Sequence, residues 1–93
     1  MLAKFPIDLD KVDEDMKDNE IVRLGMIAEL DAINLYEQLA ANAKSGKLKK
    51  VLIDIAKEEK THVGEFQALL LEMDKEYEKE LEEGKEEVDE LSE

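Results

Sequence analysis

Glu59-Lys60-Thr61-His62 carries the single histidine of the chain, with a carboxylate three residues before it. On a helix that spacing sets both side chains on one face, a turn apart. Carboxylate oxygen and imidazole nitrogen are donors that divalent first-row metals accept, and neither group rests in apolar surroundings without a partner. The surroundings here are apolar. Leu48, Leu52, Ile55, Phe66, Leu69 and Met73 recur in alternating steps of four and three, and Glu59 and His62 fill the two positions missing from that series. Upstream, Val22, Met26, Glu29, Ile33, Tyr36, Ala40 and Ala43 repeat the alternation, with Glu29 as the one charged member. A lone histidine on an apolar face is commonly structural, bonded to a neighbour. Two seams that each break with ionisable groups favour a ligand instead. Lys57, Lys60 and Arg23, the cations that could pair with these carboxylates, lie off both seams.

The two series predict two long helices. The first runs from an N-cap at Asp18 or Asn19 to about Lys44. Ser45-Gly46 is the turn, with Gly46 expected in the left-handed conformation that closes a helix. The second helix runs from about Lys47 to Met73 or Asp74. In an antiparallel hairpin, residues equally far from the turn lie level. Glu29 stands 16 residues before Ser45, Glu59 stands 13 after Gly46 and His62 stands 16 after. At about 1.5 Å per residue the three share one helical turn of height. Leu24, Ala28, Leu35 and Leu39 form a second apolar stripe on the first helix, wider than a two-helix hairpin uses, so a further partner is expected. Gly25 and Gly64 lie inside the helices, each costing about 1 kcal/mol against Ala, and close helix approach could explain them, though the sequence alone does not show it. The chain thus divides into an irregular acidic arm over 1–17, with one helical turn after Asp8, a hairpin over 18–74, and an acidic amphipathic helix over 75–93. Tyr77, Leu81, Val88 and Leu91 give that last helix an apolar side, expected to dock on a neighbour.

Composition bounds what such a chain does. A net charge of −13 argues against nucleic acid and anionic membranes as partners and favours the attraction of cations. The absence of cysteine removes disulfide frameworks, zinc ribbons and thiol chemistry. No run is long and apolar enough to cross a bilayer and no signal-peptide core precedes Pro6, so the expectation is a soluble cytoplasmic protein. With 93 residues the core is small and oligomerisation is a natural way to bury more surface. One hairpin supplies one Glu and one Glu-x-x-His, whereas a di-iron carboxylate four-helix bundle needs two of each. A symmetric homodimer supplies the difference, with Glu29, Glu59 and His62 from both chains around two irons. Four carboxylates and two neutral imidazoles then balance two Fe(II) ions. Held about 3.5–4 Å apart, two irons let one oxidant draw an electron from each.

At these residues the sequence resembles the encapsulated ferritins, or half-ferritins, and most of all their archaeal forms, which include domains fused to encapsulin shell proteins. The resemblance spans about Ile21 to Leu71 and rests on Ile27-Ala28-Glu29-Leu30-Asp31-Ala32-Ile33-Asn34-Leu35-Tyr36-Glu37 and Glu58-Glu59-Lys60-Thr61-His62-Val63-Gly64-Glu65-Phe66. It implies an all-α fold, an antiparallel two-helix hairpin plus a short C-terminal helix, dimerising into a ferritin-like four-helix bundle. It further implies a ferroxidase centre between two subunits, dimers assembled into a ring, commonly a decamer, and reliance on an encapsulin shell for iron storage. Tyr36, seven residues after Glu29, also fits the family pattern. Its hydroxyl is expected either to bond a metal-bound carboxylate or to supply an electron, or else to be core alone. Members often carry extra carboxylates along the iron path; Asp31 and Glu65 are candidates for such an entrance, while Ala28 and Leu35 depart from the pattern. Residues 88–93 show no targeting extension, which suits a domain of a fusion or a member that works outside a shell. The expected activity is oxidation of Fe(II) by O2 or peroxide, with Glu59 bridging and Glu29 and His62 terminal. The rival readings are a rubrerythrin-like peroxide reductase and a structural scaffold whose Glu/His network fixes helix register.

Overall fold

The computed structural model describes Lys4 and residues 7–91. Two short 3-10 turns, Leu9–Lys11 and Glu14–Met16, lead into helix α1, Lys17–Asn42. Helix α2 spans Gly46–Met73 and helix α3 spans Lys75–Leu91. The turn expected after Asp8 is therefore present. The start of α1 differs from the expectation: Met16 takes the N-cap position without a side-chain cap, and Asp18 lies inside the first turn. The preceding 3-10 turn already supplies helical backbone, so α1 grows from it without a polar cap.

The turn between α1 and α2 also differs from the expected one. Among the described residues no glycine has a positive φ. Helix α1 ends when Ala43 turns extended, and Ser45 caps the next helix, its Oγ accepting from the Leu48 N–H at 3.2 Å. Gly46 is the first residue of α2 rather than the end of α1. A hydroxyl that satisfies an orphan N–H at the helix start replaces the left-handed closure that glycine permits.

Helices α1 and α2 pack antiparallel. Val22, Ile33 and Ala40 on α1 and Ala56 and Leu70 on α2 form the buried core, with Leu70 fully enclosed. On α2 the buried line follows Leu52, Ala56, Glu59, Val63, Phe66 and Leu70, all buried or half-buried. This sits one flank away from the apolar series read in the sequence, whose members Leu48, Leu69 and Met73 are exposed. The two lines share Leu52, Glu59 and Phe66. Helix α2 thus carries two adjacent apolar flanks, and α1 covers only one of them.

At the α2–α3 corner Asp74 makes four connections, one of them its carbonyl accepting from the Glu78 N–H at 3.1 Å. Its N–H closes α2 on the Leu70 carbonyl at 2.8 Å, its Oδ1 accepts from the Tyr77 N–H at 3.0 Å to cap α3, and its Oδ2 stands 3.8 Å from the Arg23 guanidinium of α1. Tyr77 is half-buried, and beyond it α3 departs from the hairpin with Leu81, Val88 and Leu91 exposed. The expected acidic amphipathic helix is present and Gly84 does not break it. Beyond Tyr77 its apolar side stays uncovered within one chain.

Candidate metal centre

Glu29 comes from the middle of α1, and Glu59 and His62 from the middle of α2. The antiparallel register brings them level. His62 Nδ1 lies 3.4 Å from Glu29 Oε2 and 3.5 Å from Glu59 Oε2, and one donor atom from each of the three falls within 4.8 Å of the others. Donors around one first-row divalent ion, each at about 2.0–2.2 Å from it, stand about 3–3.5 Å from one another. The two His62 distances fall at that spacing, and the group as a whole, within 4.8 Å, could close on an ion.

Burial makes the same group a liability without a cation. The Glu29 and Glu59 side chains are 19% and 20% exposed, against 43% for His62. Glu29 Oε2 is buried and receives no hydrogen bond, the 3.4 Å approach of His62 falling short of one. A buried carboxylate oxygen without a donor costs about 1–3 kcal/mol, more if charged. Two of the cations that might have neutralised it are engaged elsewhere. Lys60 reaches across the hairpin to Glu37 at 3.1 Å, and Arg23 faces Asp74. A divalent ion fits all three side chains: two hard oxygen donors, one imidazole, and a charge opposite to the one left unpaired.

The remaining candidates stand apart from this group. Tyr36 is half-buried two turns along α1, Asp31 is half-buried, and Glu65 is exposed on α2. None joins the three-residue cluster. What the sequence did not reveal is the neighbour of Gly25. A Cβ there would stand 2.8, 2.9 and 3.0 Å from three ring carbons of Phe66, so close helix approach accounts for this glycine. It does not account for Gly64, where a Cβ would meet nothing within 4 Å.

This three-helix arrangement has a solved relative. The crystal structure of the encapsulated ferritin domain from Pyrococcus furiosus matches it with a TM-score of 0.82 and 52% identity, over 98% of this chain and 95% of that one. The Rubrerythrin family model matches residues 20–92. The chain belongs to the encapsulated-ferritin group of the rubrerythrin family. A further relative, the ferritin-like-encapsulin shell fusion protein of P. furiosus, is 59% identical over 73 residues, which are 78% of this chain. The chain spans only 21% of that fusion protein's length. The resemblance to encapsulated ferritins and the all-α hairpin with its third helix thus agree with what the comparisons find. This family binds iron. Among the described residues, no helix is long and apolar enough to cross a membrane.

Proposed function

We propose that this chain is a ferroxidase whose site is completed by a second copy of itself, Glu29, Glu59 and His62 coming from each. The observation that carries this reading is the buried Glu29 Oε2, which lacks a donor and lies beside a second carboxylate and the chain's single imidazole. One hairpin presents half of the ligand set of a di-iron carboxylate bundle. A twofold axis beside α1 and α2 supplies the other half, and the uncovered flank bearing Leu48, Leu69 and Met73 gives a second copy apolar surface to pack on.

Iron is the substrate. With O2 as acceptor, two Fe(II) each lose one electron and, with two protons, yield two Fe(III) and H2O2; with peroxide as acceptor the product is two waters. Glu59 would bridge the two ions, while Glu29 and His62 of each chain would be terminal ligands. Four carboxylates offset the charge of two Fe(II), and water has limited access to the half-buried group. The acidic surface, at a net charge of −13, concentrates Fe(II) near the protein, and Asp31 and Glu65 are the residues we assign to its entry. Tyr36, two turns along α1 from Glu29, either bonds a metal-bound carboxylate once the site is assembled, supplies an electron, or is core alone. Further assembly is a ring of dimers, commonly five, working with an encapsulin shell either fused to the chain or enclosing it. The P. furiosus relative's name as a shell fusion supports that partner.

Aerobic Fe(II) oxidation, followed by near-ultraviolet absorbance, tests the activity. Wild type is expected to exceed buffer and Glu59→Ala to match buffer; equal rates for the two proteins would sink the ferroxidase. A peroxide reductase with the same ligands is the second reading, favoured by the family model's description. Lacking cysteine, the chain would then draw electrons from a separate protein such as a rubredoxin. NADH consumption driven by peroxide and dependent on added rubredoxin and its reductase would support it. A structural Glu/His network is the weaker reading, because such a network would satisfy the Glu29 oxygen and this one leaves it without a donor.

A further inference from the structure

We infer that Gly25 and Phe66 are positioning residues for the metal ligands, a ring-on-backbone contact that sets the separation of α1 and α2 at the site. The inference rests on the proposed metal-binding role of Glu29, Glu59 and His62 and extends it to two residues that touch no metal. Gly25 precedes Glu29 by one helical turn and Phe66 follows His62 by one turn, each four residues along its own helix. In an antiparallel pair these steps run in the same spatial direction. The Gly25–Phe66 contact is therefore the layer next to the Glu29–His62 approach, on the same stripe of each helix.

Two facts separate this contact from ordinary core packing. The first is its tightness. The Phe66 ring tip occupies the space a side chain at position 25 would take, with three ring carbons 2.8–3.0 Å from where a Cβ would stand. Carbon atoms in contact rest about 3.5–4.0 Å apart, so even one methyl would push the helices apart or swing the ring by roughly 0.5–1 Å. The second is the contrast with Gly64. Both glycines cost about 1 kcal/mol of helix propensity against Ala. Gly64 faces open space, whereas Gly25 alone lets an aromatic ring lie against helix backbone. The ring has no compressible length, so it can accommodate a methyl only by turning about its two rotors or by moving its helix. Ligand sites are sensitive at this scale, and outer residues that orient ligands commonly change metal affinity about 10–100-fold.

The test uses Co(II) as the probe under anaerobic conditions, reading affinity and d–d absorption bands, with thermal midpoint and far-ultraviolet circular dichroism as checks on folding. Wild type is expected to show bands that Glu59→Ala abolishes. Gly25→Ala is expected to stay helical, to bind Co(II) about tenfold or more weakly and to shift the bands. Adding Phe66→Leu to that variant shortens the side chain facing the new methyl group and is expected to restore both. Gly64→Ala is expected to leave affinity and bands as in wild type. Wild-type affinity and bands in a folded Gly25→Ala would overturn the inference, as would a double variant no better than the single one. Should Gly25→Ala fail to fold, Phe66→Leu alone decides: altered affinity and bands support the inference, and wild-type values overturn it. Absence of Co(II) binding by wild type would overturn the ferroxidase reading together with this inference, an outcome distinct from all the others.

Discussion

At the scale of single residues, Glu29 sets its proposed metal-binding role against stability. Its buried Oε2 has no donor, so the carboxylate is held in place at the expense of the metal-free fold. Glu29→Gln removes the charge and adds an amide N–H that can reach His62 or Glu59. We expect this variant to raise the thermal stability of the metal-free protein, by about 1 kcal/mol, while abolishing metal-dependent stabilisation. Paired thermal melts with and without Co(II) check it, and a metal-free Glu29→Gln less stable than wild type would count against a strained carboxylate. The three members of this group were legible in the sequence because a charge inside an apolar series is conspicuous and helix geometry fixes its height. The Gly25–Phe66 layer was not. A glycine in a helix announces a backbone that must stay bare, but nothing in its own sequence names the ring from another helix that lies against it.

At the scale of elements, helix ends and helix flanks carry the consequences. Ser45 is the one side chain that caps α2, through the Leu48 N–H. Ser45→Ala is expected to cost about 1 kcal/mol in urea unfolding, and no loss would show that the preceding extended residues suffice to start the helix. Gly64 has no neighbour to spare, so Gly64→Ala is expected to stabilise by up to about 1 kcal/mol, opposite in sign to Gly25→Ala. Helix α3 adds a pH dependence. Repulsion from Glu83, with smaller contributions from partial desolvation, a side-chain bond to Glu83, and the charges of Glu76 and Glu87, raises the Glu80 carboxyl above its ordinary range. A carboxyl whose folded pKa is raised favours the folded state when protonated. Helix α3 therefore gains as pH falls through that raised pKa and reaches its full gain below the ordinary carboxylate value. Circular dichroism between about pH 7 and about pH 4 should show helicity rising at low ionic strength, less so in Glu80→Gln and in high salt. Helicity that stays flat or falls would contradict this. The two long helices were legible from periodicity, but the buried flank of α2 was displaced to Ala56, Val63 and Leu70. Periodicity locates the centre of a broad apolar stripe. When two partners share that stripe, it does not say which flank each one covers.

At the scale of the molecule, the single chain is unfinished. Its radius of gyration is 16.6 Å over extents of 46 × 44 × 20 Å, whereas a compact domain of this length has roughly 12 Å. Leu48, Val51, Leu69 and Met73 on α2, Leu30 and Leu39 on α1, and Leu81 and Val88 on α3 are all exposed. Apolar surface of that extent marks an interaction face. The proposed half ligand set and the uncovered apolar flank lie along the same hairpin, so assembly and metal binding are expected to be coupled. The shortage of ligands in one chain argues for an oligomer but not for its ring size, which depends on the angle between surfaces of separate copies. Native mass spectrometry of the anaerobic protein, titrated with Fe(II) and repeated for Glu59→Ala, tests the central claim most directly. A site shared between two copies predicts iron only in species with an even number of chains, one iron per chain, lost in the variant. A monomer that holds its own iron, or an assembly that holds none, would contradict it.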